Sequence, residues 1–232
     1  MKQTLLIDGK MVRVEKGAAV IDAARKLGIS IPTLCHHEAL KPYGACRLCV
    51  VEVTKGGRTR LVTSCNYPSE EGLEVRTDTP AVRRSRRLTL EILIARCPDV
   101  PALQEMGRRM GISAARFRLQ GSGQCILCGL CVRACDELVG AQAIALGERG
   151  IEKKVATPFN SPTTACIGCG SCTYICPTGC IEMMPEGTEM VLRTTGHTLE
   201  KCMNNYQCAS CDVNNTFVHE MKKAIADFRR ER

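Results

Sequence analysis

Large aromatic side chains are scarce in this sequence of 232 residues, which contains no tryptophan, four phenylalanines and four tyrosines. The sequence also lacks any run of the ~18 apolar residues that a membrane-spanning helix needs. Its first residues, MKQTLLIDGKMVRVEKG, contain no apolar segment of the kind found in secretory signal peptides. We therefore expect a cytoplasmic protein without a membrane span, whose core is not held by aromatic packing alone.

Motifs for nucleotide binding are missing as well. No G-x-G-x-x-G follows a predicted strand and opens a helix, and no Walker-type loop is present. The glycines of GSGQC, residues 121–125, lead directly into a cysteine motif. No cysteine or serine has a convincing catalytic setting, so we assign no catalytic residue and expect no NAD, flavin or substrate site in this chain.

Cysteine, by contrast, is abundant, with 17 residues. Without a secretory signal the chain is expected in the reducing cytosol, where disulfides do not persist. The expected use of so many thiols is then metal ligation. Because such ligands meet only in the folded chain, metal binding contributes to the free energy of folding and can supply cross-links that an aromatic-poor core lacks.

Turn signals and hydrophobic periodicity divide the chain into four predicted parts of an α+β protein. They are a small α+β domain at 1–78, a helical connector at 79–118, a repeat-containing domain at 119–186 and a cysteine-containing tail at 187–232 with a helix from about Thr216. In the first part, Asp8-Gly9 between two apolar runs predicts a β-hairpin. Apolar residues at helical spacing before Gly28 predict a helix.

The connector and the repeat domain carry further predictions. AVRRSRRLTLEILIARC predicts a helix that Pro98 ends, and a second helix follows Pro101. The apolar residues assigned to the inner side of the first helix are Leu88, Leu90, Ile92, Leu93 and Ile94. Between the two repeats, AIALGERGIEKKVATPF predicts a hairpin.

An internal repeat places C-x2-C-x2-C-x3-C twice in the chain, with an offset of 41 residues. Two-residue spacing lets three thiolates of one turn occupy three corners of an iron–sulfur cubane. In two-cluster ferredoxins the fourth cysteine of such a run binds the other cluster. We therefore predict two crossed [4Fe-4S] sites. One takes Cys125, Cys128, Cys131 and Cys176, and the other takes Cys135, Cys166, Cys169 and Cys172.

A separate cysteine set near the N-terminus has the spacing C-x10-C-x2-C-x15-C. A ligand from a long loop, a close pair and a distant fourth after a strand are typical of plant-type [2Fe-2S] ferredoxins, although the first gap is longer here. Gly44 is expected where the backbone approaches a sulfide closely. The predicted ligands are Cys35, Cys46, Cys49 and Cys65, in a β-grasp domain.

The net charge of +8 and the stretch AVRRSRRL at residues 81–88 resemble a nucleic-acid-binding signal. An oxidised cluster held by four thiolates carries roughly −2, so three clusters bring the net charge to roughly +2. We therefore expect no nucleic-acid partner. The arginines of this stretch are interpreted as a solvated helix face or a docking surface: Arg83, Arg84, Arg86 and Arg87.

The segments IPTLCHH, YGACRLCVVEV and TSC, followed by the two-cluster motif, resemble a known family. They are similar to the N-terminal part of the large iron–sulfur subunit of complex I, to ferredoxin domains of [FeFe]-hydrogenases and to the small diaphorase subunit of NAD-linked hydrogenases. The resemblance covers residues 1 to about 186. It implies an electron-relay subunit beside a flavin-containing subunit that handles NAD(P)H. The second electron partner is expected to be ferredoxin or another active site.

The connector departs from that family. The family often carries His-x3-Cys-x2-Cys-x5-Cys there, which binds an additional [4Fe-4S] cluster, whereas this connector has only Cys97 and no histidine. We expect the additional cluster to be absent. Cys97 is interpreted as a buried small apolar residue, with ligation as the alternative.

The tail contains three further cysteines in the spacing C-x5-C-x2-C: Cys202, Cys208 and Cys211. With a fourth ligand they would bind a further iron–sulfur cluster or zinc, since both metals accept such donors. The fourth-ligand candidates are Cys180, which we favour, His197, Cys97 and a partner subunit. Unligated thiols in a docking tail are the other interpretation.

Three functions are compatible with these patterns. The first is an electron-transfer subunit of a hydrogenase, a formate dehydrogenase or a flavin-based bifurcating NADH–ferredoxin–NADP oxidoreductase. The second is a diffusible polyferredoxin, although free ferredoxins are usually small and acidic. The third is a zinc-based regulatory or nucleic-acid-binding module, which the doubled four-cysteine motif disfavours.

Overall fold

The structure, a computed structural model, describes residues 2–118, 123–161, 163–186, 189–192 and 197–199. The chain divides into two compact units. The first comprises Met1–His36 and Pro42–Cys128, and the second comprises His37–Lys41 and Gly129–Arg232. The four-part division predicted from the sequence stays a prediction.

A mixed five-stranded sheet is the framework of the first unit. Its strands are β1 (Lys2–Ile7), β2 (Lys10–Glu15), β3 (Val50–Lys55), β4 (Arg58–Thr63) and β5 (Glu74–Arg76), in the spatial order β2-β1-β5-β3-β4. β1 pairs antiparallel with β2 and parallel with β5, and β3 pairs antiparallel with β4 and β5. This sheet is consistent with a [2Fe-2S] ferredoxin domain.

Local sequence signals explain the first elements of this unit. Asp8 and Gly9 have φ angles of 47° and 80°, so both occupy the left-handed region that a two-residue hairpin requires. Helix α1 (Val20–Lys26) contributes its apolar face to the same core as the inward-facing strand residues. Gly28, with φ of 72°, follows the end of α1. The predicted hairpin and helix are confirmed.

The connector consists of two helices, α2 (Pro80–Arg96) and α3 (Pro101–Arg109), as predicted. The hydroxyl of Thr79 caps α2 by accepting a hydrogen bond from the N–H of Val82 at 3.2 Å. Pro80 occupies the first turn, where a missing N–H costs nothing. α2 stops before Pro98, because proline disfavours helical backbone in the residue that precedes it.

The predicted inner face of α2 is wrong at two positions. Leu88 and Ile92 are 44% and 46% exposed. The buried stripe instead recurs every four residues: Val82, Arg86, Leu90 and Ile94. Five apolar residues within positions 88–94 cannot share one helical face, since that face repeats every three to four residues.

Arg86 is not part of a solvated arginine face, which corrects the sequence-based interpretation. It is 8% exposed, and its Nε and Nη2 both donate to the carbonyl oxygen of Val50, at 3.1 and 2.7 Å. Burial lowers the pKa of Arg86, while negative charge at Asp78, Cys49 and Asp8 acts in the opposite direction. The other arginines of the stretch are exposed: Arg83, Arg84 and Arg87.

Glu91 is a fully buried carboxylate in α2. The Nε of Arg87 donates to its Oε1 at 3.2 Å, and the Nε of Arg116 donates to its Oε2 at 2.6 Å. Burial opposes ionisation, yet these two hydrogen bonds hold the pKa of Glu91 below its usual value. The carboxylate therefore ties the segment after α3 to α2.

We expect Glu91→Gln to lower the free energy of unfolding by about 1–3 kcal/mol, because charge-assisted hydrogen bonds in a buried site are lost. Since the folded pKa is depressed, the contribution of Glu91 is present above its unfolded pKa and is lost as the pH falls through the folded pKa. Urea unfolding of the anaerobic holoprotein at neutral and acidic pH measures both effects.

Glu105→Gln is the matched control. Glu105 pairs with Arg108 and Arg109 on the exposed face of α3, where such pairs contribute little. We expect a change within about 0.5 kcal/mol. Equal losses in the two variants would contradict the role assigned to Glu91.

In the second unit, helix α4 (Leu130–Arg133) continues directly into a π-helical turn at Ala134–Leu138. Strands β6 (Ala145–Gly147) and β7 (Lys154–Ala156) pair antiparallel, which confirms the hairpin predicted between the repeats. Helix α5 (Ser171–Tyr174) lies 41 residues after α4. The repeat of the sequence is therefore also a repeat of local structure.

Three further strands follow, β8 (Met183–Glu186), β9 (Glu189–Leu192) and β10 (His197–Leu199), in an antiparallel sheet of order β10-β9-β8. The sequence predicted no strands there. The helix predicted from about Thr216 lies outside the described residues. None of the helices that the structure describes is both long enough and apolar enough to span a membrane.

Candidate metal centres

The predicted [2Fe-2S] ligands are buried in the first unit. Two come from the loop between α1 and β3, one immediately precedes β3, and one follows β4. The N–H of Ser64 donates to the carbonyl oxygen of Cys49 at 3.0 Å, which continues the β3–β4 ladder to the cysteines at its end. The four residues are at most 6% exposed: Cys35, Cys46, Cys49 and Cys65.

The four thiols interact as two pairs. A hydrogen bond from the Cys35 thiol lowers the pKa of Cys46 to about 5, and the same bond raises the pKa of Cys35. A hydrogen bond from the Cys65 thiol lowers the pKa of Cys49 to about 7 and raises the pKa of Cys65. Cys35 is thus paired with Cys46, the first cysteine of the C-x2-C motif. Cys49, the second cysteine of that motif, is paired with Cys65.

Backbone N–H groups also point at these sulfurs. The N–H of Leu34 donates to Sγ of Cys46 at 3.4 Å, and the N–H of Cys46 donates to Sγ of Cys35 at 3.3 Å. Such donors stabilise negative charge on thiolates and on an attached cluster. The loop therefore supplies electrostatic support as well as ligands.

Gly44 holds the turn that precedes the C-x2-C pair. Its φ of 76° is left-handed, and a Cβ at this position would lie 2.9 Å from Nδ2 of Asn66. Thr63 links the neighbouring residues, since its hydroxyl donates to Oδ1 of Asn66 at 2.5 Å and accepts from Arg47 at 3.4 Å. The approach of the Gly44 backbone to a sulfide stays a prediction, and the structure gives a separate reason for glycine, because the Asn66 side chain fills the space that a Cβ would need.

We expect Gly44→Ala to combine backbone strain of about 1 kcal/mol with displacement of Asn66, and so to weaken retention of the [2Fe-2S] centre. Gly28→Ala is the control, because Gly28 has φ of 72° and no neighbour within 4 Å. Visible circular dichroism during urea titration measures cluster retention. Equal midpoints in the two variants would contradict the role of the Asn66 contact.

The paired thiols fit a two-iron centre better than a single ion. A [2Fe-2S] centre with four cysteine ligands gives each iron two thiolates, which matches the observed division. Among the described residues, no group of three or more His, Cys, Asp or Glu side chains is arranged to hold one metal ion. The pairing of the donors is therefore suited to a [2Fe-2S] centre.

A second cysteine cluster surrounds a cavity in the second unit. Four cysteines line it, one from the first half-repeat and three from the second: Cys135, Cys166, Cys169 and Cys172. The remaining walls are small or apolar, apart from Ser171: Ala141, Ala143, Ile144, Ile167, Gly168 and Gly170. These four cysteines are the ones that the crossed-ligand prediction assigns to one cubane.

Burial affects two of the cysteines that line this cavity. Burial raises the pKa of Cys172 to about 12, and negative charge at Cys169 and Cys166 acts in the same direction. Burial also raises the pKa of Cys135, although the N–H of Ala143 donates to its Sγ at 3.3 Å. The four cysteines that line this cavity are the number and type of ligand that a [4Fe-4S] cluster takes.

Cys135 lies within the π-helical turn. This placement helps to explain why it lines a cavity with cysteines of the other half-repeat. A π turn contains an extra residue compared with α-helix and is frequent at functional sites. The N–H of Val139 bonds to the carbonyl oxygen of Ala134 at 3.1 Å, five residues back. The turn therefore changes the direction of Cys135 relative to the preceding helix.

The other predicted cubane set is divided between the units. Cys125 and Cys128 belong to the first, and Cys131 and Cys176 belong to the second. Within the first unit, the N–H of Leu127 donates to Sγ of Cys125 at 3.4 Å. The joint ligation of one cluster by these four cysteines stays a prediction from their spacing.

Cys180 lies beside Cys176 rather than in isolation. The two Sγ atoms are 3.5 Å apart, and the Thr178 hydroxyl lies 3.4 Å from Sγ of Cys176. The hydrogen bond from Cys180 lowers the pKa of Cys176 to about 5. The three cysteines predicted to share a tail site with Cys180 lie outside the described residues: Cys202, Cys208 and Cys211.

Cys97 is completely buried at the end of α2. Burial raises its pKa to about 11, and negative charge at Cys125 acts in the same direction. The interpretation of Cys97 as a small apolar residue stays a prediction, because the proposed [2Fe-2S] ligands are buried as well.

Sequence reasoning missed two polar side chains next to the predicted ligands. Arg86 binds the carbonyl of the residue that follows Cys49, and Ser171 lies between two cysteines with its Oγ 3.1 Å from Sγ of Cys169. The available sequence signal for Arg86 was its position in a series with Val82, Leu90 and Ile94 that recurs every four residues in α2. For Ser171 the signal was its position within the second C-x2-C-x2-C run.

Comparison with known proteins assigns the first unit to a known domain family. The model of the 2Fe-2S iron-sulfur cluster binding domain matches residues 2–80. That range contains the sheet, α1 and the two thiol pairs. The fold and the cysteines of this range define an iron–sulfur protein of the [2Fe-2S] class.

Several curated proteins are similar over most of this chain. An NADH-quinone oxidoreductase subunit from Rhizobium meliloti (strain 1021) is 35% identical over 205 residues, covering 77% of this chain and 24% of that protein. The alpha subunit of NADPH-Fe(3+) oxidoreductase of Geobacter sulfurreducens (strain DL-1 / KN400) is 32% identical over 231 residues, covering 88% and 27% respectively. The chain thus spans about a quarter of the length of these relatives.

For one solved structure, the similarity covers a larger share of the related chain than it does for these curated proteins. One chain of an NAD+-reducing [NiFe]-hydrogenase in the H2-reduced state has 31% identity and a TM-score of 0.60, covering 67% of this chain and 74% of that chain. This chain therefore belongs to the family of iron–sulfur subunits of NADH- and NADPH-linked oxidoreductases and hydrogenases. The resemblance stated from the sequence motifs is confirmed.

Proposed function

We propose that this chain relays single electrons through one [2Fe-2S] and two [4Fe-4S] clusters, as a subunit of an NAD(P)H-linked oxidoreductase. The observation that carries the proposal is the coincidence of two independent results. The buried thiol pairs suit a two-iron centre, and they lie within residues 2–80, which match the 2Fe-2S binding domain. Membership of a family of electron-transfer subunits supports the same function.

The proposed [2Fe-2S] ligands are Cys35, Cys46, Cys49 and Cys65. The proposed [4Fe-4S] ligands are Cys135, Cys166, Cys169 and Cys172 for one cluster, and Cys125, Cys128, Cys131 and Cys176 for the other. The paired thiols support the first set, the shared cavity supports the second, and the repeat spacing supports the third. When bound, the clusters supply one-electron oxidation and reduction.

The protein's own residues set the conditions for that chemistry. Burial of Cys49 and Cys65 in the apolar core keeps water away and lowers the local dielectric. N–H donors at Cys35, Cys46 and Cys135 stabilise negative charge on the sulfurs. Burial and hydrogen bonds to sulfur influence the reduction potential of a cluster. These contacts therefore affect which cluster is reduced first.

The partners follow from the number of electrons that each group transfers. Nicotinamide cofactors exchange hydride, an electron pair, whereas iron–sulfur clusters accept one electron at a time, so a flavin must lie between them. We therefore place the chain in the cytoplasm beside a flavin-containing NAD(P)H-handling subunit, with ferredoxin or another active site as the second partner. The parent enzyme would be a hydrogenase, a formate dehydrogenase or a flavin-based bifurcating oxidoreductase.

Anaerobic affinity purification of the tagged chain from its native host tests this assignment. We expect it to co-purify in stoichiometric amounts with a flavin-containing subunit, and its clusters to become reduced when NADH or NADPH is added. Elution of the iron-replete chain alone near 25 kDa, with no reduction by either nucleotide, would instead support a diffusible polyferredoxin.

The C-terminal site is a separate proposal. Cys202, Cys208 and Cys211 would hold a further iron–sulfur cluster or zinc, with Cys180 as the favoured fourth ligand. Metal analysis of Cys208→Ser tests it. Loss of one zinc, or of iron beyond the ten atoms of the three main clusters, is the expected result.

A further inference from the structure

Ser171 is a buried hydroxyl inside the cysteine-lined cavity of the second unit. It is 1% exposed, and its Oγ lies 3.1 Å from Sγ of Cys169. It also lines the cavity that Cys135, Cys166 and Cys172 share with Cys169. A polar side chain in a site with mainly small and apolar walls requires a partner, because an unsatisfied buried hydroxyl is destabilising.

The direction of this hydrogen bond is fixed once Cys169 is a ligand. A metal-bound cysteine is deprotonated, so its sulfur can only accept. The hydroxyl of Ser171 must therefore donate. A donor to a charged acceptor forms a stronger bond than a neutral pair does.

The internal repeat provides a comparison within the same chain. Ser171 and Cys169 correspond, 41 residues earlier, to Leu130 and Cys128. Leu130 is buried at 4% exposure and has no hydroxyl to donate. At this position the two halves therefore place the same cysteine motif in different hydrogen-bonding environments.

We propose that Ser171 is a positioning residue that raises the reduction potential of the cluster held by Cys135, Cys166, Cys169 and Cys172, by donating a hydrogen bond to Cys169. Reduction adds negative charge to the cluster and its sulfurs. The hydroxyl stabilises that charge and so favours the reduced state. The inference rests on the proposed cluster ligation and adds the residue that sets the potential of one cluster.

Ser171→Ala in the anaerobic holoprotein tests the inference. We expect the one-electron reduction equilibrium of this cluster to become less favourable by about tenfold, a shift of ~59 mV to lower potential. A redox titration followed by electron paramagnetic resonance measures it, with iron content as a parallel readout. The other clusters should keep their potentials.

Two further variants separate hydrogen bonding from packing. Ser171→Thr keeps a hydroxyl and should keep the wild-type potential. Ser161→Ala removes the hydroxyl that donates to the carbonyl oxygen of Phe159 on an exposed turn, and should change neither potential nor iron content. If Ser171→Ala does not retain its iron, Ser171→Gly decides the matter, since it lacks the hydroxyl and introduces no new ligand.

The outcomes distinguish this inference from the proposed function. A selective lowering in Ser171→Ala or Ser171→Gly, restored in Ser171→Thr, supports the inference. Unchanged potentials in an iron-replete Ser171→Ala or Ser171→Gly protein overturn it and leave the proposed function intact. A wild-type protein without the iron of two cubanes overturns the proposed function itself, and the inference with it.

Discussion

Cys135→Ser should remove the cluster whose other thiolates come from Cys166, Cys169 and Cys172, although it lies 31 residues before the first of them. The four side chains line one cavity in the second unit, and negative charge at Cys169 affects the pKa of Cys135. We expect a loss of about four iron atoms per chain, or a marked weakening if serine oxygen replaces the thiolate. Iron analysis and electron paramagnetic resonance after anaerobic reduction measure the loss.

Cys180→Ala is the matched control in the same unit. Cys180 is buried, its sulfur contacts Cys176, and it does not line the cavity around Cys135. The control should keep the signals of the cluster in that cavity. If Cys135→Ser instead removes only the cluster of Cys125, Cys128 and Cys131, the ligands do not cross.

Cys65→Ser should remove the [2Fe-2S] centre and unfold much of the first unit. Cys65 and Cys49 are completely buried in the core that the sheet and α1 form, so their sulfurs belong to the packing as well as to the site. Because metal ligation contributes folding free energy, its loss should cost on the order of 5 kcal/mol, comparable with the whole stability of a small domain. Urea unfolding followed by far-ultraviolet circular dichroism measures the change.

Cys97→Ala provides the control for this second prediction. Cys97 is equally buried in the first unit but is not assigned to a metal centre. Its truncation should cost about 1 kcal/mol and leave the visible spectrum of the [2Fe-2S] centre unchanged. Similar destabilisation in Cys65→Ser and Cys97→Ala would mean that the cluster contributes little to the stability of this unit.

Short-range signals predicted much of the fold. Asp8-Gly9 predicted the first hairpin because only left-handed backbone closes a two-residue turn, and Thr79-Pro80 and Pro98 delimit α2 for local steric reasons. Cysteine spacing also indicates which thiols can share a site, since ligand geometry restricts the distances along the chain. The four cysteines that the spacing assigns to one cubane line the cavity around Cys135, and their joint ligation of a cluster stays a prediction.

Side-chain burial on α2 could not be predicted in the same way. Leu88 and Ile92 have the composition of core residues but lie outside the buried face, and Arg86 has the composition of a surface residue but bonds to Val50. The sheet decides which face of the helix is covered, and the sheet is assembled from strands distant in sequence. Ser171 was missed for a related reason, because its contact with Cys169 is seen only in the folded structure.

The most direct test of the account is the iron and acid-labile sulfide content of anaerobically isolated protein, measured together with electron paramagnetic resonance after dithionite reduction. The three proposed ligand sets account for about ten iron atoms per chain, with signals from one two-iron and two four-iron centres. Colourless protein that contains stoichiometric zinc and gives no paramagnetic iron signal would contradict the account.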